Sequence, residues 1–157
     1  MFDRSPPLRR NTERESARPI AAPGPSWQVL QESGTAEVAE IAVLRALGAG
    51  RDERHVVEVV DGLTPPLARR EKWIINVSTQ FGCPVGCPFC DAADTFHGNL
   101  SEEELLGQVH WALSRHPGEA ARCEKLKVHF ARMGEPALND AVPSAMARLH
   151  ELDGVSP

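Results

Sequence analysis

The chain has 157 residues, which is enough for one domain with a hydrophobic core. Hydrophobic residues make up 41% and charged residues 25%, as in ordinary globular proteins, and the formal net charge is −5. There is no apolar run of about 18 residues and no signal-peptide pattern, so we expect a cytoplasmic protein with no membrane partner. The acidic balance also counts against an extended nucleic-acid-binding surface.

The first 70 residues are expected to form a tail and a small β-rich lead-in. Residues 1–25 hold five of the thirteen prolines and few apolar residues, which predicts a disordered tail. Within residues 26–70, the β-branched run 55–60 predicts a strand. Residues 36–47 fit either a helix, by their Ala, Glu and Leu content, or a strand, by their partial alternation. We favour a hairpin whose two strands, within 36–47 and 55–60, are joined through 48–52. Residues 27–31 could form a short strand before it, and residues 62–70 are expected to be a linker.

A regular alternation of strand and helix begins after the linker. The continuous apolar run within residues 72–78 predicts a buried strand. A helix is expected from Ser101 to about residue 115, because Ser101 and Glu104 match the capping-box pattern. A second strand is expected at 126–131 and a second helix at 140–152. This order predicts an α/β fold with two β-α units and parallel strands over residues 71–157. Functional residues are then expected on the loops that follow each strand.

The first of these loops carries three cysteines, Cys83, Cys87 and Cys90, in the pattern C-x3-C-x2-C. Clustered cysteines in a chain with four in total indicate metal ligation in a reducing compartment rather than disulfides. Three thiolates are one short of a closed zinc site or a fully ligated iron–sulfur cluster, so an open coordination position is expected. Gly82 and Gly86 allow the backbone to approach a bulky group.

Two other interpretations of the cysteine loop remain open. One is a zinc site in which Cys123 or His97 supplies the fourth ligand. The other is a set of ordinary buried thiols. His97 and His129 could line a site, although a core or surface role is the commoner fate of single histidines.

The cysteine spacing, with Phe89 directly before the third cysteine, resembles the radical S-adenosylmethionine (SAM) superfamily. The resemblance implies a [4Fe–4S] cluster on the three cysteines, whose open iron binds SAM. The reduced cluster would cleave SAM to a deoxyadenosyl radical, so an electron donor is an expected partner. Phe89 is then expected to contact the adenine of SAM, and Gly134 with Glu135 its amino group.

Four further runs resemble the branch of this superfamily that methylates adenines of ribosomal and transfer RNA: 78–83, 98–100, 107–109 and 133–139. The resemblance covers roughly residues 73–150. Three features depart from it. Asn76 stands where the branch has a catalytic cysteine, no cysteine follows Cys123, and Arg132 replaces a glycine.

The resemblance implies a partial (β/α) radical SAM barrel, of which this chain holds about two β-α units after the β-rich lead-in. We therefore expect the chain to be the N-terminal part of a radical SAM core, completed by a missing C-terminal part or a further chain. The expected function is reductive SAM cleavage. An RNA methyltransferase relative, with RNA as a less favoured partner, and a cluster- or metal-binding fragment without catalysis are the alternatives.

Overall fold

A computed structural model describes residues 27–92, 95–152 and 155. The expected tail over residues 1–25 lies outside the described residues. Within the described ranges the chain forms seven strands and two α-helices: β1 (Trp27–Thr35), β2 (Ala39–Ala46), β3 (Val56–Gly62), β4 (Trp73–Asn76), β5 (Gln80–Gly82), β6 (Phe96–Asn99), α1 (Glu102–Arg115), β7 (Leu126–His129) and α2 (Ala141–Arg148). Short 3₁₀ turns cover Ala120–Arg122, Pro136–Leu138 and Leu149–Glu151.

The lead-in forms the predicted hairpin. β2 pairs with β3 in antiparallel register, so the helix that its composition also allowed does not form. Ala42, Leu44 and Ala46 are buried while the residues between them are partly exposed. This two-residue alternation is what a strand with one covered face requires, and it outweighed helix propensity.

One sheet contains five of the strands, in the order β1-β2-β3-β4-β7. Neighbouring strands are antiparallel except β4 and β7, which are parallel. β1 continues to Thr35 and is therefore longer than the strand expected at 27–31. β3 and β4 lie on either side of the expected boundary at residue 70, yet Val60 pairs with Asn76. The lead-in and the β-α units therefore share one sheet.

The two β-α units follow the predicted order. The Ser101 hydroxyl accepts from the Glu104 N–H, and the Glu104 carboxylate accepts from the Ser101 N–H, which confirms the capping box at the start of α1. β7 ends at His129, two residues before the expected end. α2 is shorter than predicted and continues only as a 3₁₀ turn. Neither described helix is long and apolar enough to cross a membrane.

Both helices pack on the same face of the sheet. The core between the helices and the sheet holds the buried side chains of alternate strand residues and the apolar stripe of α1. Its members include Val57, Val59, Trp73, Ile75, Leu105, Leu106 and Val109. The remaining strand residues, among them Glu58, Ile74 and Asn76, point to the opposite face and are partly exposed. The parallel strands therefore have one helix-covered face and one open face.

Candidate metal and cofactor site

The cysteine loop begins directly after the short strand β5 and returns to its partner β6. The Cys83 N–H donates to the Thr95 carbonyl (3.0 Å), which fixes the start of the loop. Gly82 has a φ of +79°, and a Cβ there would lie 1.4 Å from the Thr95 oxygen. Only glycine fits this crossing, so Gly82 is required for the loop to leave β5 where it does.

The three cysteines of this loop are free thiols. Cys83 and Cys87 are half-buried and Cys90 is exposed, so the expectation of ordinary buried thiols does not describe them. The Cys90 N–H donates to the Cys87 carbonyl (3.0 Å), and Gly86 takes a φ of +71°. Accessible thiols on one turn-rich loop fit metal ligation, because a ligand set must be reachable from solvent before the metal arrives.

Potential metal ligands already lie close together at one place in the described part of the chain. Among the described residues, the one set of three His, Cys or acidic side chains whose ligand atoms all lie within 4.8 Å of one another is Glu40, Asp61 and His116. The three cysteine sulfurs do not form such a set. The choice between a one-ion site and a cluster therefore rests on the number and spacing of the cysteines in the sequence.

The set of Glu40, Asp61 and His116 is better explained as a buried ion-pair network. Asp61 Oδ1 accepts from Arg69 (2.5 Å) and from the Trp73 indole N–H (2.6 Å), and Asp61 Oδ2 lies 2.8 Å from His116 Nε2. Arg69 pairs with Asp61, and Arg115 Nη2 lies 3.4 Å from Glu40 Oε1, so each carboxylate already has a cationic partner. The network ties the end of α1 to β3 and needs no metal ion for its charge balance.

The two side chains considered as a fourth zinc ligand lie in different places. The Cys123 thiol donates to the Arg69 carbonyl (3.1 Å). Cys123 also precedes β7, at the N-terminal end of the parallel strands, whereas the cysteine loop follows their C-terminal end. The structure thus separates Cys123 from the other three cysteines. His97 lies on β6, next to the cysteine loop, and is exposed.

Phe89 is the most exposed large apolar side chain in the described part of the molecule, at 90%. Phenylalanine side chains are usually buried in the core, whereas this one projects into solvent from the cysteine loop. An exposed aromatic ring beside candidate metal ligands is available to stack on a ligand.

The Gly134 loop (132–139), which is the second motif loop, follows β7 and packs against the segment that leads into the cysteine loop (81–98). Gly134 has a φ of +95°, and a Cβ there would lie 2.6–2.7 Å from atoms of Thr79 and Gln80. The Glu135 N–H donates to Gln80 Oε1 (2.9 Å), and the Glu135 carboxylate accepts from the Ala137 N–H (3.0 Å). Glu135 therefore caps the 3₁₀ turn of its own loop, a role that the sequence did not predict.

The segment Ser78-Thr79-Gln80 joins the two motif loops to the rest of the fold. The Thr79 N–H donates to the Met133 carbonyl (2.7 Å), and the Gln80 side-chain amide donates to Asn99 Oδ1 (2.7 Å). The Asn139 side-chain amide donates to the Thr79 carbonyl (2.7 Å) and to the Leu100 carbonyl (2.9 Å). The start of the cysteine loop and the Gly134 loop are thus held in fixed relative positions.

A buried glutamine of α1 completes this arrangement. Gln108 Oε1 accepts from the Ser78 N–H and Gln108 Nε2 donates to the Ser78 carbonyl, both at 2.9 Å. Gln80, Gln108 and Asn139 were part of the sequence resemblance, but no role was predicted for them. Only Gln108 carries a signal in the sequence, because it is a polar amide within the otherwise apolar run 105–109 and must find partners when buried. The sequence around Gln80 and Asn139 is itself polar and gives no such signal.

The open face of the sheet carries polar groups beside the motif loops. Asn76 is in register with His129 across the parallel strands, and both point to this face. Next to them, Arg132 Nη2 lies 2.5 Å from Glu58 Oε2. The structure therefore brings Asn76 and His129 together, which the sequence did not predict.

Sequence comparison relates the chain to curated proteins named as RNA methyltransferases. It is 41% identical over 123 residues to a probable RNA methyltransferase of Aromatoleum aromaticum, a match that covers 76% of this chain and 33% of the relative. It is 32% identical over 109 residues to the dual-specificity RNA methyltransferase RlmN of Xylella fastidiosa, covering 67% of this chain and 25% of the relative. It is 33% identical over 123 residues to RlmN of Halorhodospira halophila, covering 75% and 33%.

These matches support the resemblance to the RNA methyltransferase branch that the motifs indicated. The chain spans only about a quarter to a third of the length of these relatives. No family model and no solved structure matches the chain.

Proposed function

We propose that this chain is the cluster- and SAM-binding part of a radical SAM protein. The observation that carries the proposal is the joining of an open three-cysteine loop to the Gly134 loop through Ser78-Thr79-Gln80. The similarity to proteins named as RNA methyltransferases supports it. When bound, a [4Fe–4S] cluster would supply the electron that cleaves SAM reductively.

Cys83, Cys87 and Cys90 would hold the cluster as thiolates, leaving one iron for SAM. Their partial exposure allows loading, and Gly82 lets the loop turn sharply away from β5. Phe89 would cover the adenine of SAM, because its exposed ring projects from the same loop.

Gly134 and Glu135 would bind the amino group of SAM. The positive φ of Gly134 brings the loop backbone against Thr79 and Gln80, so its orientation is fixed before any ligand binds. The Glu135 carboxylate already accepts one hydrogen bond from the Ala137 N–H, and a carboxylate has lone pairs left for an ammonium group. The Glu135 carboxylate would therefore cap the 3₁₀ turn and bind the ammonium group of SAM at the same time.

We further propose that the two β-α units are the first part of a partial barrel. β4 and β7 are parallel, β7 is the last strand of the sheet, and an apolar cleft of about 290 Å³ lies between β7 and α2, lined in part by Leu126, Val128, Met146 and Leu149. A further parallel strand, from a C-terminal part or another chain, would pair with the open edge of β7. An electron donor for the cluster is the other partner that this function requires.

A second candidate function is RNA adenine methylation, which the printed names of the relatives favour. Asn76 counts against it, because an amide cannot replace the thiolate that the branch uses at this position. The net charge of −5 also counts against RNA binding, because an acidic chain offers little attraction to a phosphate backbone. The third candidate, a cluster or zinc site without catalysis, needs no feature beyond the cysteine loop.

Anaerobic reconstitution with iron and sulfide, followed by SAM binding measurements, tests the proposal. We expect a brown protein with about four irons per chain that binds SAM. We expect little deoxyadenosine from this chain alone after reduction, because two β-α units of a partial barrel would cover only part of the ligand site. A colourless protein with a single zinc ion would refute the cluster, and a brown protein that binds no SAM would favour the third candidate.

A further inference from the structure

The loop after β7 is linked to β3 by an ion pair that reaches across the strand between them. Arg132 Nη2 lies 2.5 Å from Glu58 Oε2 on the open face of the sheet. The Arg132 N–H also donates to the Val77 carbonyl at 3.1 Å, so the backbone at this point is fixed to the end of β4. The guanidinium therefore extends from an anchored residue toward β3.

Glu58 also holds the same loop by a second route, through its backbone. The Glu58 carbonyl accepts from the Ser78 hydroxyl (2.7 Å), and Ser78 Oγ accepts from the Met133 N–H (3.1 Å). One residue of β3 thus tethers two consecutive loop residues, Arg132 by its carboxylate and Met133 through Ser78. The ligand-binding candidates Gly134 and Glu135 come directly after these tethered residues.

The loop has little freedom beyond these tethers. Gly134 packs so closely on Thr79 and Gln80 that even a Cβ would come within 2.7 Å of them. A small rotation at Arg132 or Met133 would therefore move Gly134 into its neighbours or away from them, and the Glu135 N–H would lose its bond to Gln80 Oε1.

We propose that Glu58 and Arg132 are positioning residues for the Gly134 loop: the hairpin strand β3 sets the geometry of the loop through their ion pair. Neither residue is assigned a contact with substrate or cofactor. The identity of the ligand, SAM, rests on the proposed function, whereas the positioning itself depends only on the contacts described above.

The size of the expected effect follows from the exposure of the pair. The Arg132 and Glu58 side chains are 39% and 36% exposed, so solvent and salt screen their attraction. Breaking the pair should then change the equilibrium between the ordered and the locally opened Gly134 loop by roughly two- to five-fold. High salt should reduce the difference between the wild type and a broken pair, which loss of apolar packing would not do.

The experiment compares Glu58→Gln, Arg132→Gln, both together, and the exchanged pair Glu58→Arg with Arg132→Glu. Amide hydrogen exchange of residues 133–138 is measured first and needs no cofactor. SAM affinity is then measured on cluster-loaded protein at matched iron content. Glu119→Gln is the control, because it removes the acidic partner of another arginine, Arg122, in an exposed pair that lies outside both loops.

Each single variant should raise exchange of residues 133–138 and weaken SAM binding, both by roughly two- to five-fold. The double variant should add little to either single one, the exchanged pair should restore both properties, and the control should change neither. Unchanged exchange in Glu58→Gln, or weaker SAM binding without altered exchange, would overturn the positioning role. If the variants exchange faster but the wild-type protein binds no SAM, the positioning role of the ion pair is upheld and the proposed function is refuted.

Discussion

Gln108 is the buried amide on which the geometry of Ser78 depends most directly. It forms two hydrogen bonds with the Ser78 backbone, both at 2.9 Å, and both residues are fully buried. Gln108→Met keeps nearly the same length and volume but removes both partners, so packing loss is small. The Ser78 N–H and carbonyl would then be buried without these bonds, at about 1–3 kcal/mol for each group.

We therefore expect Gln108→Met to lower the free energy of unfolding by about 2–6 kcal/mol, a large share of the roughly 5–15 kcal/mol of a typical domain. The assay is urea denaturation followed by tryptophan fluorescence, because Trp73 is buried and reports the core. His110→Ala is the control, since His110 lies on the same helix but is exposed, and it should change stability by less than about 0.5 kcal/mol. A loss below about 1 kcal/mol for Gln108→Met would refute the reasoning, because it would mean that Ser78 finds other partners at no cost.

Four further predictions concern the proposed site. Alanine substitution of Cys83, Cys87 or Cys90 should abolish iron retention, measured by iron analysis after reconstitution. The Cys123→Ala variant should retain iron. Gly134→Ala should weaken SAM binding at least ten-fold in calorimetry, because its Cβ would lie 2.6–2.7 Å from Thr79 and Gln80 atoms at a φ of +95°; equal affinity would show that the loop can move freely. Glu135→Ala should weaken SAM binding by about ten- to a hundred-fold at constant iron content, through loss of a charge-assisted contact. This chain, or any longer form of it that keeps Asn76, should form no methyladenosine on unmodified RNA. Methyladenosine detected by nucleoside mass spectrometry above a cluster-free control would favour the methyltransferase function.

The local elements were predictable because their causes are local. The capping box fixes the start of α1 from two residues, and the β-branched run at 55–60 leads into β3. The ambiguity at 36–47 could not be resolved from the sequence, because helix propensity and strand alternation overlap there. Pairing with β3 resolved it, since strand pairing depends on residues that are distant in the chain.

The candidate site was predicted in part. The three cysteines and the two motif loops follow from spacing and from the order of strands, because parallel strands place their following loops at one edge. The roles of Gln80, Gln108 and Asn139 did not follow, since an amide's partners are known only once the chain has folded. The same holds for the capping role of Glu135.

By itself, the sequence determined the alternation of strand and helix, the cluster of thiols and the resemblance to RNA methyltransferases, because each is a property of neighbouring residues. Only the tertiary structure decided that the lead-in hairpin joins the same sheet, that Cys123 lies apart from the other cysteines, and that Glu58 meets Arg132. These outcomes depend on residue pairs that lie between 12 and 74 positions apart, from Gly62 with Ile74 to Glu58 with Arg132. They depend on strand register and on the packing of one face of the sheet, which no local pattern specifies.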